Sequence, residues 1–227
     1  MPSALVTGGS SGIGLAIARV LAEEGFALTL AARNAERVAA AADELGALAV
    51  TADVSKDEDC ERVVAEHVER HGGLDVLVNS AGIGIGGNVE ALTTKQIDLQ
   101  LDVNIRGLIL VTRAAIPHLR ESRGLVVNLA SIAGTMPTPG LSIYGASKAA
   151  VISFTRSLNE ELDADGVRAT ALCPAFVDTD MAAWSGIPGD EMIQPEDCAE
   201  TVRLLLRLTP RARIPQVVVE RVGSAGA

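Results

Sequence analysis

The opening of the chain constrains the fold most. The apolar run Ala4-Leu5-Val6 breaks into Thr7-Gly8-Gly9-Ser10-Ser11-Gly12-Ile13-Gly14 and continues at once as Leu15-Ala16-Ile17-Ala18-Arg19-Val20-Leu21. A short apolar run, a glycine turn and a helical repeat read as strand, turn and helix. The same alternation continues to the far end. Strands are predicted at 3–7, 26–31, 47–51, 74–78, 124–130, 167–173 and 216–220, and helices at 12–24, 34–45, 56–71, 94–119, 142–163 and 195–208. Asn34, Ser55 and Gln194-Pro195-Glu196 carry helix-start signals, while Gly25, Gly46 and Gly72 fall where helices should stop. Strand alternating with helix implies a parallel sheet covered on both faces, because right-handed crossovers place the helices there. The expected fold is α/β and doubly wound, one domain over residues 1–222, with Gly223-Ser224-Ala225-Gly226-Ala227 as a disordered tail.

Composition removes several classes of function. A chain of 227 residues, 48% hydrophobic and 21% charged, suits one domain with a sizeable core. Its net charge of −10 opposes nucleic acid and acidic membrane surfaces. Nowhere do eighteen apolar residues follow one another, and Met1-Pro2-Ser3 leads straight into a strand without a signal segment, so a cytoplasmic protein is expected. Cys60, Cys173 and Cys198 are widely spaced and form no CxxC, which suits buried free thiols in reducing surroundings. His67 and His71 stand four apart on a predicted helix. No third ligand is evident and His71 precedes Gly72-Gly73, so the reading is a charged residue at a helix C-terminus and no metal is assigned.

The chemistry-bearing residues follow the strands. Gly8 can make a tight turn, Gly12 lets the backbone approach a pyrophosphate and Gly14 allows close helix packing, with free N–H groups at the helix start to meet phosphates. Arg33 follows the second strand, Asp53 the third, Asn79 to Gly82 the fourth, Ser131 the fifth and Pro174 to Thr179 the sixth. Ligands of such sheets bind outside the carboxyl ends of the strands, so one crevice can collect them all. Tyr144 is the only tyrosine and lies four residues before Lys148, on the same helix face. A phenol beside an ammonium is expected to have a lowered pKa and to serve as a general acid or base on oxygen. Asn104 sits in an otherwise apolar helical pattern where asparagine is a poor helix former, so something should compensate.

Taken together, Thr7-Gly8-x-x-x-Gly12-Ile13-Gly14, Asn79-Ser80-Ala81-Gly82, Asn104, Ser131 and Tyr144-x-x-x-Lys148 resemble the short-chain dehydrogenase/reductase family over nearly the whole chain. The resemblance implies a Rossmann-type sheet of seven mostly parallel strands in the order 3-2-1-4-5-6-7. It implies an oxidoreductase moving hydride between a nicotinamide and a small or medium neutral carbonyl or secondary alcohol. By the same resemblance Asn104, Ser131, Tyr144 and Lys148 are catalytic. Ser131 would bind the substrate oxygen, Lys148 the nicotinamide ribose, and Asn104 would kink its helix and hold a water that relays protons. The cofactor would be held by Thr7, Gly8, Ser10, Ser11, Gly12, Ile13, Gly14, Arg33, Asp53, Val54, Asn79, Ala81, Gly82, Tyr144, Lys148, Pro174, Val177 and Thr179. Asp53 reads equally as an adenine acceptor or a cap near Ser55. Ala31-Ala32-Arg33-Asn34 lacks the acid that NAD-selective sites place after the second strand, and Arg33 suits a 2′-phosphate, so NADP(H) is expected over NAD(H).

Two departures from the family pattern are Ser80 and Ala175, the latter where other members carry glycine able to use positive φ. Ile83, Met136, Met181, Trp184 and Ile187 are expected to wall an apolar substrate pocket. A rival within the family is a 3-oxoacyl-(acyl-carrier-protein) reductase, whose acidic partner would need a basic cluster, with Arg120, Arg123 and Arg156 as the grouping available. A rival of another class is a non-catalytic NADP-binding redox sensor. A homodimer or homotetramer is expected through the helices at 94–119 and 142–163, where Ala146, Ala149, Ala150 and Phe154 add small or apolar surface.

Overall fold

In the computed structural model, which describes residues 1–223, the alternation becomes a single parallel sheet. Its strands are β1 (Ser3–Thr7), β2 (Ala27–Ala32), β3 (Leu48–Thr51), β4 (Val76–Asn79), β5 (Leu125–Leu129), β6 (Arg168–Pro174) and β7 (Gln216–Val219), in the order β3-β2-β1-β4-β5-β6-β7. All six pairings are parallel. The helices are α1 (Gly12–Glu23), α2 (Ala35–Leu45), α3 (Asp57–His71), α4 (Thr94–Leu101), α5 (Leu108–Ser122), α6 (Ser142–Glu161) and α7 (Pro195–Arg207). Residues 224–227 of the expected tail lie outside the described residues.

The two-residue side-chain period of a strand divides the core. Ala4 and Val6 of β1 join Ile17, Leu21, Leu30 and Val202 on one face, while Leu5 joins Val63, Leu77, Leu119 and Leu158 on the other. Every residue of β1 is buried, as a central strand covered on both faces requires. The order reverses between β1 and β4, and that switch point sets where a crevice opens. The stop signals behave as expected: Gly46 and Gly72 close α2 and α3 in the left-handed region at φ 63° and 81°.

The predicted helix at 94–119 is the main local correction. It is α4 and α5 joined by a π turn at Asp102–Gly107, the insertion that compensates for Asn104. No described helix is long and apolar enough to cross a membrane.

The histidines also differ from expectation. His67 is wholly buried, with Nδ1 2.8 Å from Thr29 Oγ1 and Nε2 3.2 Å from Ser3 Oγ. Ser3 Oγ donates to the Gly73 carbonyl, so it must accept from His67 Nε2–H, which leaves Nδ1 to accept from Thr29. Burial pushes His67 down to about 4 and lowers the half-buried His71 as well, so neither is a charged helix terminus at neutral pH. Among the described residues no three His, Cys, Asp or Glu side chains are grouped to hold a metal.

Candidate active site

At the carboxyl ends of the strands lies a cleft of about 690 Å³, lined from the glycine turn to Lys148. Gly8 has φ 66°, and a Cβ there would stand 2.7 Å from the Ala81 amide nitrogen, so the turn after β1 fits tightly against the turn after β4. A Cβ on Gly14 would strike the Gly8 carbonyl and come within 2.9 Å of Ser80 Oγ. The α1 N-terminus thereby sits against the sheet. Its cap, Ser11, makes no side-chain capping bond and its first turn holds no acid, so unsatisfied N–H groups and the positive helix end face the cleft. Ser10, Ser11, Gly12, Ile13, Ala81 and Gly82 line it as expected.

The far wall carries positive charge. Arg33 is exposed on the rim and takes part in no ion pair among the described residues. Arg37, which sequence reasoning missed, also lines the cleft and reaches Asp180 across it at 3.2 Å. Asp53 lines the cleft while its Oδ1 accepts from Ser55 N at 3.0 Å and Ser55 Oγ at 2.8 Å, so it tightens the turn ahead of α3 beside Val54. Thr7 and Asn79, also expected at the cofactor, are both buried and do not line the cleft. Thr7 Oγ1 accepts from Ala81 N, and Asn79 Nδ2 donates to Thr112 and Asn128, which fastens β4 to its neighbours.

Ser131, Tyr144, Lys148 and Asn104 come together from β5, α6 and the π turn. Ser131, 8% exposed, accepts from Ala133 N at 3.2 Å and donates to Pro174 O at 3.5 Å. Lys148, 4% exposed, donates from Nζ to Leu129 O at 2.7 Å and lies 5.7 Å from the Tyr144 ring centroid. Asn104 accepts from Ile83 N at 2.8 Å, and its Nδ2 donates to Ile83 O at 2.8 Å and Ser147 Oγ at 3.2 Å. Gln100, also unpredicted, repeats the device one turn earlier by accepting from Ile85 N at 2.6 Å. The two amides pin the strand exit that faces Tyr144.

The electrostatics reverse one expectation. Burial raises the Tyr144 phenol above its ordinary value, with the Ser131 hydroxyl acting in the opposite direction. Desolvation of the buried phenol sets its direction, while Lys148 Nζ stands over the ring and donates to a backbone carbonyl. Burial also lowers Lys148 to about 8. Tyr144 is therefore a protonated phenol at neutral pH, beside a lysine close to losing its charge.

A second cavity of about 150 Å³ opens beside Ser131. Tyr144, Ile13, Thr179 and Met181 line both spaces, so Tyr144 stands at their junction. Met181 and Trp184 face the smaller cavity as expected, and so do Pro174 and Val177, which were expected at the cofactor. Ile83 faces the larger cleft instead. Met136 and Ile187 line neither: Met136 is 45% exposed beyond the turn after β5, and Gly186, at φ 72°, turns the chain before Ile187. Phe176 and Leu141 occupy the wall in their place. Phe176 had a usable signal in a chain with so few aromatic residues. Ala175 causes no strain, since Arg123 is the only described non-glycine residue at positive φ.

Comparison with known proteins agrees with this geometry. A model of the family described as short chain dehydrogenase matches residues 2–186. An uncharacterized oxidoreductase of Staphylococcus epidermidis is 34% identical over 222 residues, covering 96% of each chain. Among solved structures, an alcohol dehydrogenase from the archaeon Thermococcus sibiricus, complexed with 5-hydroxy-NADP, has a TM-score of 0.90 at 32% identity, covering 98% of this chain and 97% of that one. A 3-ketoacyl-(acyl-carrier-protein) reductase from Brucella melitensis, complexed with NADH, also has a TM-score of 0.90 at 32% identity, with 96% of each chain covered.

Proposed function

The chain belongs to the short-chain dehydrogenase family of oxidoreductases, and from that footing we propose that it reduces a small or medium neutral ketone or aldehyde with NADPH, or oxidises the matching secondary alcohol. The observation that carries this reading is Tyr144, a protonated phenol at the junction of a nucleotide-sized cleft and a cavity beside Ser131.

The residues present fit a nicotinamide dinucleotide. The uncapped α1 N-terminus and the close-packed glycine turn suit a pyrophosphate, Arg33 a 2′-phosphate, Asp53 the adenine edge and Lys148 the nicotinamide ribose. When bound, the dinucleotide supplies or accepts the hydride. Ser131 then donates a hydrogen bond to the substrate oxygen and steadies its developing negative charge. Tyr144 delivers its proton to that oxygen in reduction, or takes one in oxidation. Lys148, charged below about pH 8, lowers the cost of the phenolate left behind. Asn104 holds Ile83 at both its N–H and C=O, keeping the facing wall fixed while the proton moves.

Preference for NADP(H) is supported by the exposed Arg33 and by the lack of an acid at 31–34. The acyl-carrier reading is less well supported. Arg120 is paired with Asp165 at 2.7 Å, Arg156 with Gln216 at 2.8 Å, and Arg123 ends α5 at the amino end of β5, so the three form no basic rim on the cleft. A redox sensor needs no proton donor beside a second cavity. Three buried free thiols suit a reducing cytoplasm. Exposed Leu99, Leu101 and Ile109 on α4, the π turn's edge and α5, and exposed Ala146, Ala149 and Ala150 on α6, suit a homodimer through these helices.

The test follows dihydronicotinamide absorbance with NADPH and NADH over neutral ketones, aldehydes and a 3-oxoacyl thioester. Turnover should favour NADPH and neutral ketones, and Tyr144→Phe should lower kcat at least about a hundredfold with NADPH affinity kept. Turnover unaffected by that change would refute the assignment of Tyr144, and a clear NADH preference would refute that of Arg33.

A further inference from the structure

The smaller cavity carries more chemistry than neutrality. None of its lining side chains bears a formal charge at neutral pH. A carboxylate, ammonium or phosphate on the substrate would give up water there without gaining an oppositely charged partner, which is costly. The chain has one tryptophan, one tyrosine and three phenylalanines. Three of these rings, Tyr144, Phe176 and Trp184, line this one space. Phe176 and Trp184 meet edge to face with centroids 6.0 Å apart, and Trp184 is nevertheless 63% exposed. A T-shaped pair presents one ring face for another ring to complete the cluster. Met181, 43% exposed, brings its thioether to the same mouth, and sulfur is a good neighbour for an aromatic edge. Gly84 also lines the space, where a Cβ would make ordinary contact with Met181 at 3.8 Å and Tyr144 at 3.9 Å, so a larger branched side chain there would take up part of it. An apolar cavity of about 150 Å³ is the size that takes one benzene ring.

We propose that this cavity is a ring site: the substrate is a neutral ketone, or its alcohol, whose larger substituent is a single six-membered apolar ring, clasped by Phe176 and Trp184 while its oxygen meets Ser131 and Tyr144. The proposal rests on the hydride-transfer reading above for what happens to that oxygen, but the ring site is independently measurable. Trp184 is the only tryptophan, so intrinsic emission reports on this mouth directly.

The first experiment titrates 1-phenylethanol and 2-propanol into Tyr144→Phe protein, with and without NADP⁺, and follows Trp184 emission. 1-Phenylethanol should give a saturable blue shift, and 2-propanol at the same concentration should give none. The second experiment compares acetophenone with acetone as substrates of the otherwise unmodified enzyme. Trp184→Ala and Phe176→Ala should each lower the acetophenone-to-acetone ratio of kcat/KM about tenfold, mainly through KM for acetophenone. Gly84→Val should lower it by filling the cavity, whereas Leu204→Ala, which removes an exposed apolar side chain on α7, should leave it unchanged. Equal responses to the two alcohols, or a ratio unmoved by Trp184→Ala and Phe176→Ala, overturn the ring site even if carbonyl turnover is found. A saturable emission shift without turnover of any carbonyl keeps the ring site and removes the hydride-transfer reading.

Discussion

Replacing Lys148 with methionine should make the cofactor-free protein more stable while abolishing turnover. The side chain is 4% exposed, and burial lowers its pKa from 10.5 to about 8. Each pKa unit corresponds to about 1.36 kcal/mol, so keeping the ammonium charged inside the fold at pH 7 costs about 3 kcal/mol relative to a neutral group. Methionine has nearly the same reach without the charge. It also forfeits the charged 2.7 Å bond to Leu129 O, worth about 2 kcal/mol, which leaves a net gain of about 1 kcal/mol. For a chain of this length that raises Tm by roughly 2–4 °C. The sign with pH follows from the protons bound. Between pH 8 and 10.5 the unfolded wild type holds more protons than the folded one, so wild-type stability from this group rises with pH. The advantage of Lys148→Met is therefore complete below pH 8 and shrinks as pH climbs to 10.5. Urea melts of both proteins at pH 7 and pH 10 measure it, since other titrations cancel in the difference. A variant no more stable than wild type at pH 7, or an advantage that does not change with pH, would refute the claim that burial of a charged lysine strains this site.

Two further outcomes concern the frame around the site. His67, held down to about 4 from 6.5 by burial, contributes stability that is complete above pH 6.5 and is lost as pH falls through 4, about 3 kcal/mol in all. Denaturant midpoints for wild type should fall across that window, and those for His67→Gln should fall much less; parallel curves would show that other groups govern acid lability. Gly14→Ala places a methyl against the Gly8 carbonyl and should cost about 1–3 kcal/mol, with NADPH affinity reduced as the turn is displaced. An alanine variant with unchanged urea midpoint and unchanged NADPH titration would mean the turn adapts freely.

Much of this protein is legible in one dimension because its signals are local. The apolar runs and helical repeats needed only their own spacing to predict seven strands and the alternation that winds helices over both faces, and observed boundaries fall within about two residues of those predicted for most elements. The stops at Gly46 and Gly72 follow from glycine's tolerance of positive φ at the ends of their own helices. The grouping of Ser131, Tyr144 and Lys148 follows from strand ends that share one edge and from a four-residue helical step.

What escaped sequence reading depends on contacts between distant residues. The kink expected at Asn104 is a π turn, and the partner of its side chain, Ile83, lies 21 residues away. His67 is neutral because Thr29 and Ser3, 38 and 64 residues away, enclose it. Phe176 rather than Met136 or Ile187 faces the smaller cavity because loops aim side chains according to turns whose directions no hydrophobic period records. Tyr144 and Lys148 could be placed side by side from their spacing, but the direction of their pKa shifts could not. Local spacing determines which groups are neighbours, whereas desolvation, which pushes the phenol up and the ammonium down, is set only when the rest of the chain closes over them.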